Sequence, residues 1–134
     1  MAFEGTQTCI PAALAAADLS TKQFYFVKKN TTAGQFALAT TDGEIVSGVL
    51  QNKPSAAGAA ATVCAFGATK IVAGGTLTAG DYVGTDANGK AVKKNHTSTG
   101  ADVGDFLCGY VIEGAASGEL ATIWFDPMYK VFVS

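Results

Sequence analysis

From Gln23 onward the chain runs in short stretches of alternating or continuous apolar residues, and nearly every stretch ends at Gly, Asn, Asp or Pro. Gln23–Lys29 is aromatic and β-branched and stops at Asn30-Thr31-Thr32-Ala33-Gly34. Gln35–Thr40 alternates, Asp42-Gly43 turns the chain, and Glu44–Leu50 follows until Pro54, which lacks a ladder donor. After an Ala/Gly loop at 56–61 comes Ala61–Phe66. Glycines cut Lys70–Val92 into two or three short strands, and Asn88-Gly89 reads as a tight hairpin because both residues tolerate positive φ. The last third holds Phe106–Glu113, then Glu119–Phe125 stopped by Pro127, and a terminal edge strand at Tyr129–Val133. Roughly eight or nine strands, with turn signals about every 8–12 residues, predict an all-β single domain, a small barrel or sandwich. Asp42-Gly43 and Asn88-Gly89 are expected to join antiparallel neighbours.

Residues 1–19 do not share this pattern. They form an N-terminal arm ahead of a β domain at 20–134, either extended or holding one loose helical turn after Pro11. Phe3, Ile10 and Leu14 are apolar residues of that arm with no strand pattern to bury them, so a larger partner is expected to receive them.

Composition narrows the function more than it names one. Hydrophobic residues make up 49% of the 134 and charged residues 15%, so the surface is Thr/Ala/Gly-rich and weakly charged. All nine basic residues are Lys. Arg supplies the bidentate contacts that nucleic acids use, and Lys28-Lys29 and Lys93-Lys94 are too sparse for a basic footprint, so no nucleic-acid partner is expected. Cys9, Cys64 and Cys108 form no C-x-x-C pair, and the last two sit in apolar runs, as buried free thiols in a reducing compartment would. No signal peptide or membrane-length stretch is read.

Candidate chemistry is weak throughout. Gly84–Ala91 nearly spells a phosphate-binding loop but has Ala91 where a magnesium-holding hydroxyl belongs, and a strand rather than a helix follows. Counting back from Gly89 as the EF-hand glycine puts Gly84 where the first carboxylate should be. His96, the lone histidine, lies in a polar loop with no ligand-spaced partner. The carboxylates Asp81/Asp86 and Asp102/Asp105 read as turn formers. No catalytic, metal or cofactor site is expected, and the chain is not expected to be an enzyme.

Four segments carry a family resemblance: Ala17-Asp18-Leu19-Ser20-Thr21-Lys22-Gln23-Phe24-Tyr25-Phe26-Val27, Gly48-Val49-Leu50-Gln51-Asn52-Lys53-Pro54, Ala73–Asp81 with Gly89-Lys90-Ala91-Val92, and Gly109-Tyr110-Val111 through Gly118-Glu119. Through them the chain resembles bacteriophage capsid decoration (cement) proteins, similar in role to the head decoration protein of phage lambda. The resemblance implies a β-barrel, sandwich or β-tulip-like body made in the bacterial cytoplasm and carried on the capsid exterior. It further implies a homotrimer on the major capsid protein, with the arm residues Phe3, Ile10 and Leu14 against the shell, and no membrane partner. The segment 126–134 extends beyond the resemblance. A head-fibre or receptor- and glycan-binding virion protein is the alternative reading.

Overall fold

The computed structural model describes residues 2–95 and 102–127. His96 and the expected strand at Tyr129–Val133 lie outside them. Among the described residues there are ten strands and no helix, so the chain is an all-β protein. The strands are β1 (Gln7–Cys9), β2 (Leu14–Ala15), β3 (Phe26–Lys29), β4 (Gln35–Leu38), β5 (Gly48–Leu50), β6 (Val63–Val72), β7 (Tyr82–Thr85), β8 (Ala91–Lys93), β9 (Gly109–Glu113) and β10 (Leu120–Phe125). They form one mixed sheet in the order β2-β4-β3-β5-β6-β10-β9-β7-β8, with β1 added on β6.

The sheet curls around a main apolar core. Phe26, Val49, Ile71, Val83, Val111, Ile123 and Phe125 come from six strands into a single buried cluster. Strand alternation explains the choice: Ala121, Ile123 and Phe125 of β10 are fully buried, while Leu120 and Trp124 on the opposite face are not, and Thr122 on that face is buried as well. The rings of Phe26 and Phe125 meet with centroids 6.2 Å apart; burying one such ring contributes about 1.5–3 kcal/mol. The curl brings the turn between β7 and β8 against β3 without a ladder between them. Between β8 and β3 the link is the Phe26 N–H, which donates to the Gly89 carbonyl at 2.8 Å.

That contact depends on the 86–90 turn, which differs from the tight two-residue hairpin expected. Asp86 N–H donates to the Lys90 carbonyl, so the loop proper is Ala87-Asn88-Gly89, and only Gly89 of the three has positive φ, at 80°. This is the three-residue hairpin built on a turn plus a left-handed glycine. Its extra residue is accommodated by the Asp86 carboxylate, which accepts from the N–H groups of Asn88 and Lys90 at 2.8 and 2.9 Å. A Cβ at Gly89 would lie 2.7 Å from Leu38 Cδ1 and 3.2 Å from the Phe26 carbonyl oxygen. Gly89→Val is therefore expected to cost about 2 kcal/mol in backbone strain, read as a lowered midpoint in urea denaturation with an unchanged slope.

Asp42-Gly43 does not join paired strands. β4 and β5 flank β3 on either side, and the turn instead docks across the sheet end, with Gly43 N–H donating to the Thr85 carbonyl and Phe106 N–H to the Gly43 carbonyl, both at 3.0 Å. Glu44, expected in a strand, folds back on this turn. Its carboxylate accepts from the Thr40 and Thr41 N–H groups, each at 2.7 Å, and pairs with Lys28 Nζ at 3.0 Å. Burial alone would raise its pKa, yet these donors hold it below the usual glutamate value.

The arm is extended, with no helical turn after Pro11, but it is not loose. β1 pairs antiparallel with β6, and β2 pairs parallel with β4. Ala13, Ala15 and Leu19 are buried with Val27, Phe36, Leu50 and Val63 in a second apolar cluster, and Ile10 packs against it. The expectation that Ile10 and Leu14 have no place within the domain is thus corrected. The small side chains of Ala13 and Ala15 let this segment pack between the 59–61 loop and β4, so alanine richness here reflects close packing.

Candidate interaction surface

The outer face of the sheet carries a row of aromatic rings that the sequence pattern did not reveal. Trp124 of β10 stands opposite Tyr110 of β9, and Tyr110 opposite Tyr82 of β7. Phe66 of β6 meets Trp124 edge-on, with centroids 5.3 Å apart and an interplanar angle of 82°. The rings of Phe66, Tyr110 and Tyr82 belong to residues 44–50% exposed, and Trp124 is half-buried beneath Phe66. Four strands therefore place one aromatic side chain each in a stripe across the sheet. The inward neighbours Val83, Val111, Ile123 and Phe125 are locked in the main core, which fixes the outward rings by alternation. Aromatic rings held on rigid strands are the type of group that dominates protein–protein contacts, because they lose little freedom on burial.

Of the three arm residues predicted to meet a partner, Phe3 is brought to this face. Its N–H donates to Thr122 Oγ1 at 2.6 Å, and the same hydroxyl donates to the Phe3 carbonyl at 3.1 Å. Thr122 lies between Leu120 and Trp124 on the outer side of β10, so Phe3, 43% exposed, extends the apolar zone. Ile10 and Leu14 lie elsewhere. Ile10 N–H donates to the Val63 carbonyl and Leu14 N–H to the Gly34 carbonyl, and both side chains are half-buried.

A second feature is the polar knot at Lys94. Its side chain is 1% exposed and its Nζ stands 2.7 Å from Asp105 Oδ2, 3.2 Å from Asp42 Oδ1 and 3.8 Å from Asp102 Oδ1. The stem passes Gly84, where a Cβ would come within 2.9 Å of Lys94 Cε. Burial pushes the ammonium pKa down, but the hydrogen bonds it donates to Asp105 and Asp42 outweigh this and the pKa is raised. An amine held protonated by three carboxylates has no lone pair to act as nucleophile or base, so the knot fastens the 42–43 turn and the 102–105 turn to β8. Asp81 and Asp86 act as the expected turn formers, Asp81 accepting from the Thr78 N–H at 2.9 Å. Among the described residues no group of three or more His, Cys, Asp or Glu has the arrangement to hold a metal ion, and no pocket opens in the structure. Cys64 and Cys108 are buried as expected, and burial raises both thiol pKa values, Cys64 to about 11.

By sequence, the chain matches no protein-family model and no curated protein. By structure, it is similar to the crystal structure of the N base of head fiber gp8.5 in bacteriophage phi29, with a TM-score of 0.66 at 17% identity. The likeness covers 93% of this chain and 98% of that one. At this identity it establishes a shared fold over nearly the whole chain.

Proposed function

We propose that this chain is a structural protein of a bacteriophage head exterior, binding the outside of the capsid and stabilising it as a decoration protein, with no catalysis of its own. The observation that carries the reading is the fold shared over nearly the full length with the base of a phage head fiber. It joins the motif resemblance to capsid decoration proteins, which rests on short sequence segments instead of on the fold. The stripe Phe66–Trp124–Tyr110–Tyr82, widened by Phe3, is the surface we assign to contact with the major capsid protein or with neighbouring copies in a homotrimer. Contacts repeated by symmetry let a modest apolar patch stabilise a whole shell.

The test is to add purified protein to expanded capsids that lack it and follow heat disruption. Saturable binding with a raised disruption temperature is the expected result. The double variant Tyr82→Ser/Tyr110→Ser is expected to bind at least tenfold more weakly, since two contact rings are worth roughly 1–2 kcal/mol each, while its own melting temperature changes little because both rings are half exposed.

A second reading, the base of a head fibre, is favoured by the identity of the structural neighbour itself. It predicts binding to capsids with no change in disruption temperature. Binding to host-surface glycans with no binding to capsids would remove the decoration reading altogether.

A further inference from the structure

The fold brings together two cysteines that the sequence keeps far apart. Cys9 of β1 stands directly opposite Cys64 of β6. The Ile10 N–H donates to the Val63 carbonyl at 3.0 Å, the bond that flanks a non-hydrogen-bonded antiparallel pair. In such pairs the Cα atoms are about 4.5 Å apart and the side chains are at their closest, inside the roughly 4.4–6.8 Å range a disulfide spans. Both thiols are free, with Cys9 exposed and Cys64 buried. Cys64 also responds electrostatically to Cys9, which adds to the effect of burial on its thiol.

We propose that Cys9 and Cys64 are a redox-responsive pair, closing an intramolecular disulfide on meeting an oxidising small-molecule disulfide and so fastening the arm to β6. The exposed Cys9 thiolate attacks the small disulfide, forming a mixed disulfide and expelling one thiolate. Cys64, as thiolate, then attacks the Cys9 sulfur and expels the second. Two protein thiols are oxidised, one small disulfide is reduced to two thiols, and the two protons pass to the leaving thiolates. The second step is the slow one, because little of Cys64 is ionised near neutral pH, and it speeds up as pH rises.

The consequence falls on the arm. Ahead of Cys9 it is held by long backbone bonds, Gly5 N–H to the Ala68 carbonyl at 3.2 Å and Ala68 N–H to the Thr6 carbonyl at 3.3 Å, and the ladder shifts register between Thr8 and Cys9. With both thiols reduced, these bonds, the β1–β6 ladder and the Phe3–Thr122 pair hold this end to the sheet. After release into an oxidising medium the bond would fix it, closing a loop of roughly 55 residues. The inference stands independently of the phage-head reading.

Full-length protein, reduced and then incubated with oxidised glutathione at mildly alkaline pH, provides the test. Expected are a mass lower by two hydrogens, a single cross-linked peptide pair containing positions 9 and 64, and a melting temperature raised by about 10 °C, all reversed by dithiothreitol. Cys9→Ser changes an exposed side chain, so it retains the fold, and it is expected to abolish the shift. Accumulation of a Cys9–glutathione adduct or a Cys9-linked dimer, with Cys64 still alkylated after denaturation, overturns the proposal. So does a melting shift that persists in Cys9→Ser.

Discussion

Lys94→Met is expected to destabilise the protein by about 3 kcal/mol, because it removes the one cation from among three carboxylates. Methionine fills the channel beside Gly84 with similar volume, so lost packing is a minor part of the effect. What remains is Asp42, Asp102 and Asp105 facing each other, with the last two only 23% and 15% exposed. Because the carboxylates keep some contact with water, the cost lies at the low end of that for breaking a buried pair. Asp105→Asn should therefore cost less in the Lys94→Met background than in the wild type, a coupling that a double-mutant cycle measures. Additive effects would mean that the knot is merely a set of independent surface pairs. Alkaline titration supplies the sign. The folded-state pKa of Lys94 is raised above its ordinary value of 10.5, so its contribution is complete below that value and is lost as pH rises through the folded-state pKa. The stability gap between wild type and Lys94→Met is thus constant to about pH 10 and narrows above it.

The Lys94 knot also shows where a sequence stops being readable. Strands were legible because Gly, Asn, Asp and Pro punctuate them: five of the expected runs, from Gln23–Lys29 to Glu119–Phe125, contain observed strands β3, β4, β5, β9 and β10, whereas β6 begins in the run Ala61–Phe66 and continues through Gly67 to Val72. Strand order was not legible, since β6 meets β10 and β7 meets β9 across long stretches of chain, and turn residues say nothing about non-local pairing. Asp42-Gly43 illustrates this, being a true turn that joins two strands on opposite sides of a third. The same gap hid the candidate surface. Phe66, Tyr82, Tyr110 and Trp124 lie in four separate runs, and only the order β6-β10-β9-β7 makes them a row. Lys94 read as half of a sparse basic pair because its partners come from two separate turns, one of them 52 residues away in sequence. Glu44 was placed in a strand because the run 44–50 is apolar, but a carboxylate able to accept from two backbone N–H groups stabilises a turn more than it would an exposed strand start.

The arm gives the other large expected effect. Read from sequence, residues 1–17 are an appendage whose removal leaves the β body intact. The structure predicts that their deletion destabilises the protein by at least about 5 kcal/mol, comparable to its total stability. Deletion strips β1 from β6 and β2 from β4, and it removes the N–H donors of Ile10, Leu14, Ala15 and Ala16 along with the carbonyls of Ala13 and Ala15 that Ala61 and Gly58 use. Six backbone bonds at roughly 1 kcal/mol each set the scale before apolar burial is counted. The deletion further uncovers Phe36, Leu50 and Val63, against which Ala13 and Ala15 pack, leaving an apolar surface prone to aggregation. The measurement is urea denaturation of the truncated chain, with soluble yield as a second readout. Shortening only to Gly5 should behave differently, since residues 2–5 contribute the Phe3–Thr122 and Gly5–Ala68 contacts and no side chain to either core. That shorter deletion is expected to cost about 1–2 kcal/mol, leaving a folded protein in which the contribution of Phe3 to partner binding is measured directly. A stable, soluble chain after loss of residues 1–17 would show that β1 and β2 are passengers on the sheet.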